Sequence, residues 1–200
     1  MRVLGYGEDA LTLHILRNHM GEFLKQLKDP GVSESAAAYY RPSFGRGRGC
    51  FGEFDAIVST ERAIYLVETK WNESSEWKTG ELKDKQQRRH EMFEWYAEQW
   101  QRVAPANWSE FATDECRRLF LKRFGKNMPH GKTGVLVRNL EFILQAIGAR
   151  GKDIENVLLL VDVRGGNSEK PALTKVPRSF HQVYLRLESI GGAGFIQLQP

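Results

Sequence analysis

The nonapeptide AIYLVETKW, Ala63 to Trp71, constrains this 200-residue chain more than any other stretch. It begins with the composition of a strand inside a sheet. A carboxylate and an ammonium, Glu68 and Lys70, then follow two residues apart. Burying either charge unpaired is strongly unfavourable, so neighbouring segments must bring the compensating groups.

The preceding stretch GEFDAIV, Gly52 to Val58, is a candidate partner strand, joined to the first by the turn-like STER. A turn centred between Glu61 and Arg62 opposes Asp55 to Glu68 and Glu53 to Lys70. Side chains alternate along each strand, so all four share one face. Like charges directly opposed destabilise a pair, and Asp55 and Glu68 therefore require a cation between them. Lys70 is one candidate, and a hard divalent metal held by both carboxylates fits better. An exposed lattice of salt bridges would use the same residue types. Phe51, Ile57, Ile64 and Leu66 lie on these strands, however, so the face begins apolar, as expected where a charge cluster lines a cleft.

Elsewhere, residues 8–29 read as one helix with an apolar stripe at Leu13, Leu16, Met20, Phe23, Leu24 and Leu27, ended by DPG. Residues 36–42 read as a short strand. A helix is expected from about 81 to 101, and residues 108–151 read as a mostly helical insert. NVLLLVDV, Asn156 to Val163, has the continuous apolar character of a strand buried on both faces. Residues 178–191 read as helix and 194–198 as a last strand. The expected fold is α/β: a mixed sheet flanked by helices, with a hairpin leading into a βαβ-like half, in one domain over residues 1–200.

GEFDAIV followed by YLVETKW resembles the PD-(D/E)XK nuclease superfamily, in which an acid, a hairpin and an acid-x-lysine tripeptide succeed one another. It looks closest to the nuclease-related-domain and junction-resolvase-like branches. The likeness lies in Gly52 to Trp71, and the order of elements extends it loosely along the chain. Phe54 stands where many members have proline. The resemblance implies a restriction-endonuclease-like fold with an αβββαβ core. It also implies an Mg²⁺- or Mn²⁺-dependent nuclease, acting on DNA in preference to RNA. By the same resemblance, Asp55, Glu68 and the Thr69 carbonyl would hold the metal, while Lys70 would orient or deprotonate water or stabilise charge on phosphorus. Glu8, at the start of the first helix, corresponds to a metal-linked glutamate of many members, although helix N-termini favour acids in any case. Gln86, on the second helix's stripe of Leu82, Gln86, Arg89, Phe93, Tyr96 and Trp100, corresponds to a position that contacts the site in several branches. Its neighbour Gln87 is an alternative, and so is simple emergence of that helix end into solvent.

Arg41, Arg46 and Arg48 lie in or beside the glycine-rich stretch RPSFGRGRGC and, with Arg89, are candidate phosphate contacts. Its spacing excludes a Walker A or dinucleotide loop. A net charge of +4 permits an anionic partner. The five histidines show no metal-ligand spacing, and no nucleophile elbow or Cys–His pair supports acyl transfer. Two cysteines outside any framework suggest a reducing compartment. No leader-like segment and no apolar run near the ~20 residues of a membrane span are present. A cytoplasmic protein is expected, with a homodimer left open. A catalytically silent nucleic-acid-binding module of the same fold is the alternative.

Overall fold

The computed structural model describes residues 3–31, 33–44, 52–129, 134–148, 151–163, 175–188 and 195–198. Its centre is a five-stranded mixed sheet in the order β2 (Ala37–Tyr40), β3 (Ala56–Ser59), β4 (Ala63–Trp71), β5 (Asp153–Asp162) and β6 (Phe180–Arg186). The first three strands are antiparallel, and β4, β5 and β6 run parallel. Every residue of β4 and the last seven of β5 are buried, as continuous apolar runs require when both sheet faces are covered. A separate two-stranded ribbon pairs β1 (Val3–Tyr6) with β7 (Phe195–Leu198).

Two cores lie on opposite faces of the sheet. Val58, Tyr65, Val67, Val157 and Leu159 pack against α1 (Gly7–Asn18) and α2 (Met20–Gln26) through Leu11, Ile15, Phe23 and Leu24. Ile57, Ile64 and Leu66 pack against α4 (Asp84–Val103) through Phe93, Tyr96 and Trp100; α3 (Ser75–Thr79) lies between β4 and α4 in the chain. The insert is helical, as expected, with α5 (Trp108–Phe111), α6 (Asp114–Phe124) and α7 (Val135–Ile147). It closes over α4 through Trp108, Phe111, Phe120 and Leu144. No helix of the described residues is long and apolar enough to cross a membrane. Cys116 is free, and Cys50 lies outside the described residues.

Three expectations are corrected. Residues 180–186 form the edge strand β6, not a helix. Val183, Leu185 and Leu187 alternate onto the α1–α2 core while Phe180 packs on the opposite face, so a two-residue period wins beside β5. The first helix breaks at His19 (φ −129°), and Leu11 and Ile15, rather than Leu13 and Leu16, carry the buried face of α1. The ribbon strand β1 and the short α3 have no counterpart in the expected order.

Asp29 anchors the α2 end to the sheet. Its carboxylate accepts hydrogen bonds from the Tyr65 hydroxyl (2.6 Å), the Thr60 hydroxyl (2.7 Å) and the Gly31 N–H (2.7 Å). Burial pushes its pKa up, but these donors outweigh burial and hold it below the ordinary 3.8. A depressed carboxylate stabilises the fold above its unfolded-state pKa and loses that contribution on acidification. Tyr65→Phe is expected to lower unfolding free energy by about 1–3 kcal/mol at neutral pH. Urea denaturation should show that loss shrinking as pH falls below the ordinary carboxylate value of 3.8.

Candidate active site

The β3–β4 ladder follows the register expected from the Glu61–Arg62 turn. Ala56 faces Val67 and Ser59 faces Ile64. The ladder ends at Ala56–Val67, leaving Asp55 and Glu68 at the next position along an opening sheet edge. There the Thr69 N–H donates to Asp55 Oδ2 at 2.7 Å, so the carboxylate takes over from the ladder. Glu53 does not continue the pairing to Lys70 as expected. It forms a bridge with Ser43, and its carboxylate binds Arg41 at 2.7 Å.

Alternation along β4 directs Glu68 and Lys70 to the α4 side and Thr69 to the α1 side. Glu68 is 2% exposed. Its Oε1 accepts from Gln86 Nε2 (2.5 Å) and lies 3.1 Å from Lys70 Nζ. Its Oε2 accepts from Arg89. Gln86 uses its other end to cap α4, its Oε1 accepting from the Lys83 N–H at 3.0 Å. Of the two glutamines weighed, Gln86 is therefore the one at the site, while Gln87 donates to the Leu82 carbonyl.

Lys70 Nζ also donates to Glu8 Oε2 (3.1 Å) and to the Thr69 carbonyl (2.6 Å). Glu8 reaches it because it lies three and seven residues before Leu11 and Ile15, on the buried face of α1. The buried Thr12 hydroxyl pins this turn, lying 2.7 Å from the Glu8 carbonyl and 2.8 Å from Thr69 Oγ1. Thus Asp55, Glu68, Lys70, Thr69, Glu8, Gln86 and Arg89 are assembled at one place. Arg41 is not left open to solvent anions. It forks between Asp9 (2.5 Å) and Glu53, with its backbone at φ +48°. Arg46 and Arg48 lie outside the described residues.

Three residues of the site had not been singled out. His90 is fully buried, with Nδ1 2.9 Å from Asn156 Oδ1 and Nε2 3.8 Å from Glu68 Oε2, too long for a hydrogen bond. Its position four residues after Gln86, on the same helical stripe, was the signal available. Thr12 lies one helical turn beyond Glu8. Buried Glu76, on α3, is held by Lys83 at 2.6 Å, and no sequence pattern marks it.

Electrostatically the carboxylates diverge. Burial and the neighbouring Glu68 charge push Asp55 up to about 7, against Lys70 and the Thr69 N–H. Burial also opposes ionisation of Glu68, but the adjacent Lys70 and Arg89 cations outweigh it and hold its carboxyl well below the usual range. Burial alone would lower Lys70, yet the charges of Glu68, Glu8 and Asp55 raise it, so it is a firmly protonated ammonium. Burial raises Glu8 despite its contact with Lys70. The oxygen donors suit a hard divalent cation in kind. Among the described residues, no three His, Cys, Asp or Glu side chains form a metal-holding group in this arrangement.

Compared with family models, curated proteins and solved structures, the chain matches none. The site's own geometry therefore carries the functional reading. Because Asp55 is protonated more readily in the folded state, ionising it weakens folding as pH rises from 3.8 towards 7. Asp55→Asn, whose amide oxygen can still accept from the Thr69 N–H, should be more stable than wild type above pH 7 in EDTA. Urea unfolding across pH should show that advantage vanishing near 3.8.

Proposed function

We propose that the protein is a metal-dependent nuclease of restriction-endonuclease-like fold, related to the PD-(D/E)XK enzymes and hydrolysing phosphodiester bonds, with DNA the favoured substrate. The observation that carries this reading is Lys70 Nζ held beside Glu68 and Glu8, where the β3–β4 ladder opens and Asp55 stands. Asp55 and Glu68, with the Thr69 carbonyl, would hold Mg²⁺ or Mn²⁺. Their fit rests on an all-oxygen donor set and on an Asp55 carboxylate that a divalent cation would relieve of its repulsion with Glu68. When bound, such a cation supplies Lewis acidity and an activated water.

The remaining work belongs to the chain's own groups. Lys70, ringed by carboxylates, is suited to holding negative charge that develops on the phosphate rather than to taking a proton from water. Gln86 fixes the Glu68 carboxylate, and Glu8 with the Thr69 carbonyl fixes Lys70. Arg89 supplies a guanidinium suited to a phosphate oxygen. One observation favours the silent binding module instead: both Glu68 oxygens are already engaged by Gln86, Lys70 and Arg89.

Labelled linear, circular, single-stranded and branched DNA, with RNA alongside, separates the readings when incubated with Mg²⁺, Mn²⁺ or EDTA. Cleavage is expected only with metal. Lys70→Ala should lose at least ~10²-fold in rate, of the order seen when an oxyanion-stabilising donor is removed, and Glu68→Ala should fall to background. Binding without cutting would establish the silent module, and neither binding nor cutting would remove both readings.

A further inference from the structure

Each of Glu68's partners has a different reason to stay. Gln86 is tied down at both ends, because releasing Glu68 would also disturb the cap of α4. Lys70, with a side chain only 4% exposed, has two further acceptors in Glu8 and the Thr69 carbonyl. Arg89 is more exposed than Lys70, its side chain 15% exposed. Among the described residues its one hydrogen-bond acceptor is Glu68, and its buried Nε has no partner at all. A guanidinium in that state is under-satisfied, with a free donor edge beside the one it presents to Glu68. Its guanidinium carbon lies 5.3 Å from the centre of the Phe54 ring, and a Cβ at Gly52 would come within 3.4 Å of Nη1. Arg89 is thus a cation resting between an aromatic face and a glycine backbone, close to where the glycine–arginine stretch rejoins the described chain.

We infer that Arg89 is a phosphate-responsive latch: it occupies Glu68 when no substrate is present and transfers its guanidinium to a substrate phosphate, freeing Glu68 Oε2 for the metal. This rests on the nuclease reading and adds the order in which that site is assembled. A phosphate offers the guanidinium two oxygens in a fork geometry, including a partner for the unpaired Nε, which Glu68 alone does not provide. Competition between Arg89 and a divalent cation for the same carboxylate oxygen makes metal binding weak in the free protein. Removing Arg89 to the phosphate lifts that competition, so nucleic acid and metal must strengthen each other's binding reciprocally. The chain would then hold its divalent cation tightly only where a phosphodiester is already in place.

Calorimetric titration of Mn²⁺ into the metal-stripped full chain tests this without reading activity. The titration is run alone and with a hairpin oligodeoxynucleotide bearing a single-stranded tail and phosphorothioate linkages, and the heat of Mn²⁺ entering the oligonucleotide alone is subtracted. For wild type, the oligonucleotide should tighten Mn²⁺ at least ~10-fold, within the usual range of site–site coupling. Arg89→Met should bind Mn²⁺ without oligonucleotide as tightly as wild type does with it, and the oligonucleotide should add little. Arg89→Gln, smaller and uncharged, serves if the methionine variant fails to fold. Equal wild-type affinity with and without oligonucleotide overturns the latch, as does an Arg89→Met affinity no tighter than wild type. If Mn²⁺ binds without coupling and Glu68→Gln abolishes it, the latch fails while the metal site stands. If wild type and both Arg89 variants bind no Mn²⁺ under either condition, the latch and the nuclease reading fail together.

Discussion

The Glu68 carboxylate, buried near the end of the central strand, is the constraint from which the rest of this site follows. A carboxylate so placed is tolerable only with charged and hydrogen-bonding partners at close range. The fold brings them from two sources: Lys70 from the same strand, Gln86 and Arg89 from α4. A buried ion cluster of this kind contributes little net stability compared with a well-packed apolar substitute.

The same geometry separates two neighbouring carboxylates into different protonation regimes. Glu68, flanked by Lys70 and Arg89, is held ionised, whereas Asp55 is pushed up to about 7 by burial and by Glu68 itself, which outweigh Lys70 and the Thr69 N–H. Burial opposes the charge on Lys70, but the carboxylates of Glu68, Glu8 and Asp55 raise its pKa and keep it a cation. Environments that push titratable groups apart in this way are the usual basis for assigning them distinct roles.

The helical insert serves the site at one remove. Trp108, Phe111, Phe120 and Phe124 pack with Trp95 and Tyr96, on the α4 stretch beyond Gln86, Arg89 and His90. None of the described insert residues is a hydrogen-bond partner of Asp55, Glu68 or Lys70. An aromatic buttress of this kind restrains the helix that presents the side chains, and close packing transmits such restraint well.

Much of the centre was legible from the chain alone. The two-residue turn at Glu61–Arg62 determined the hairpin register, since pairing across a tight turn leaves no freedom, and with it the place of Asp55 and Glu68 one position beyond the last pair, Ala56–Val67. Two-sided apolar runs marked β4 and β5 as interior strands, and a helical period placed Gln86 and Arg89 on one stripe. Residues 180–186 read as helix because Phe180, Val183 and Leu187 are three and four apart, whereas Val183, Leu185 and Leu187 also fit a two-residue period, and only pairing with the edge of β5 decides between them. Arg41 is expected at a phosphate from sequence because its carboxylate partners come together only in the fold, Asp9 by the docking of α1 and Glu53 by the Ser43–Glu53 bridge. For His90 and Thr12 the sequence offers only a helical spacing from Gln86 and Glu8, as a polar residue on a helix declares its partner only when that face is packed. Local periodicity and turn geometry are properties of neighbouring residues, so the sequence by itself determined the hairpin and its acid-x-lysine strand. Which distant cation meets which carboxylate is a property of packing, and only the tertiary structure decided it.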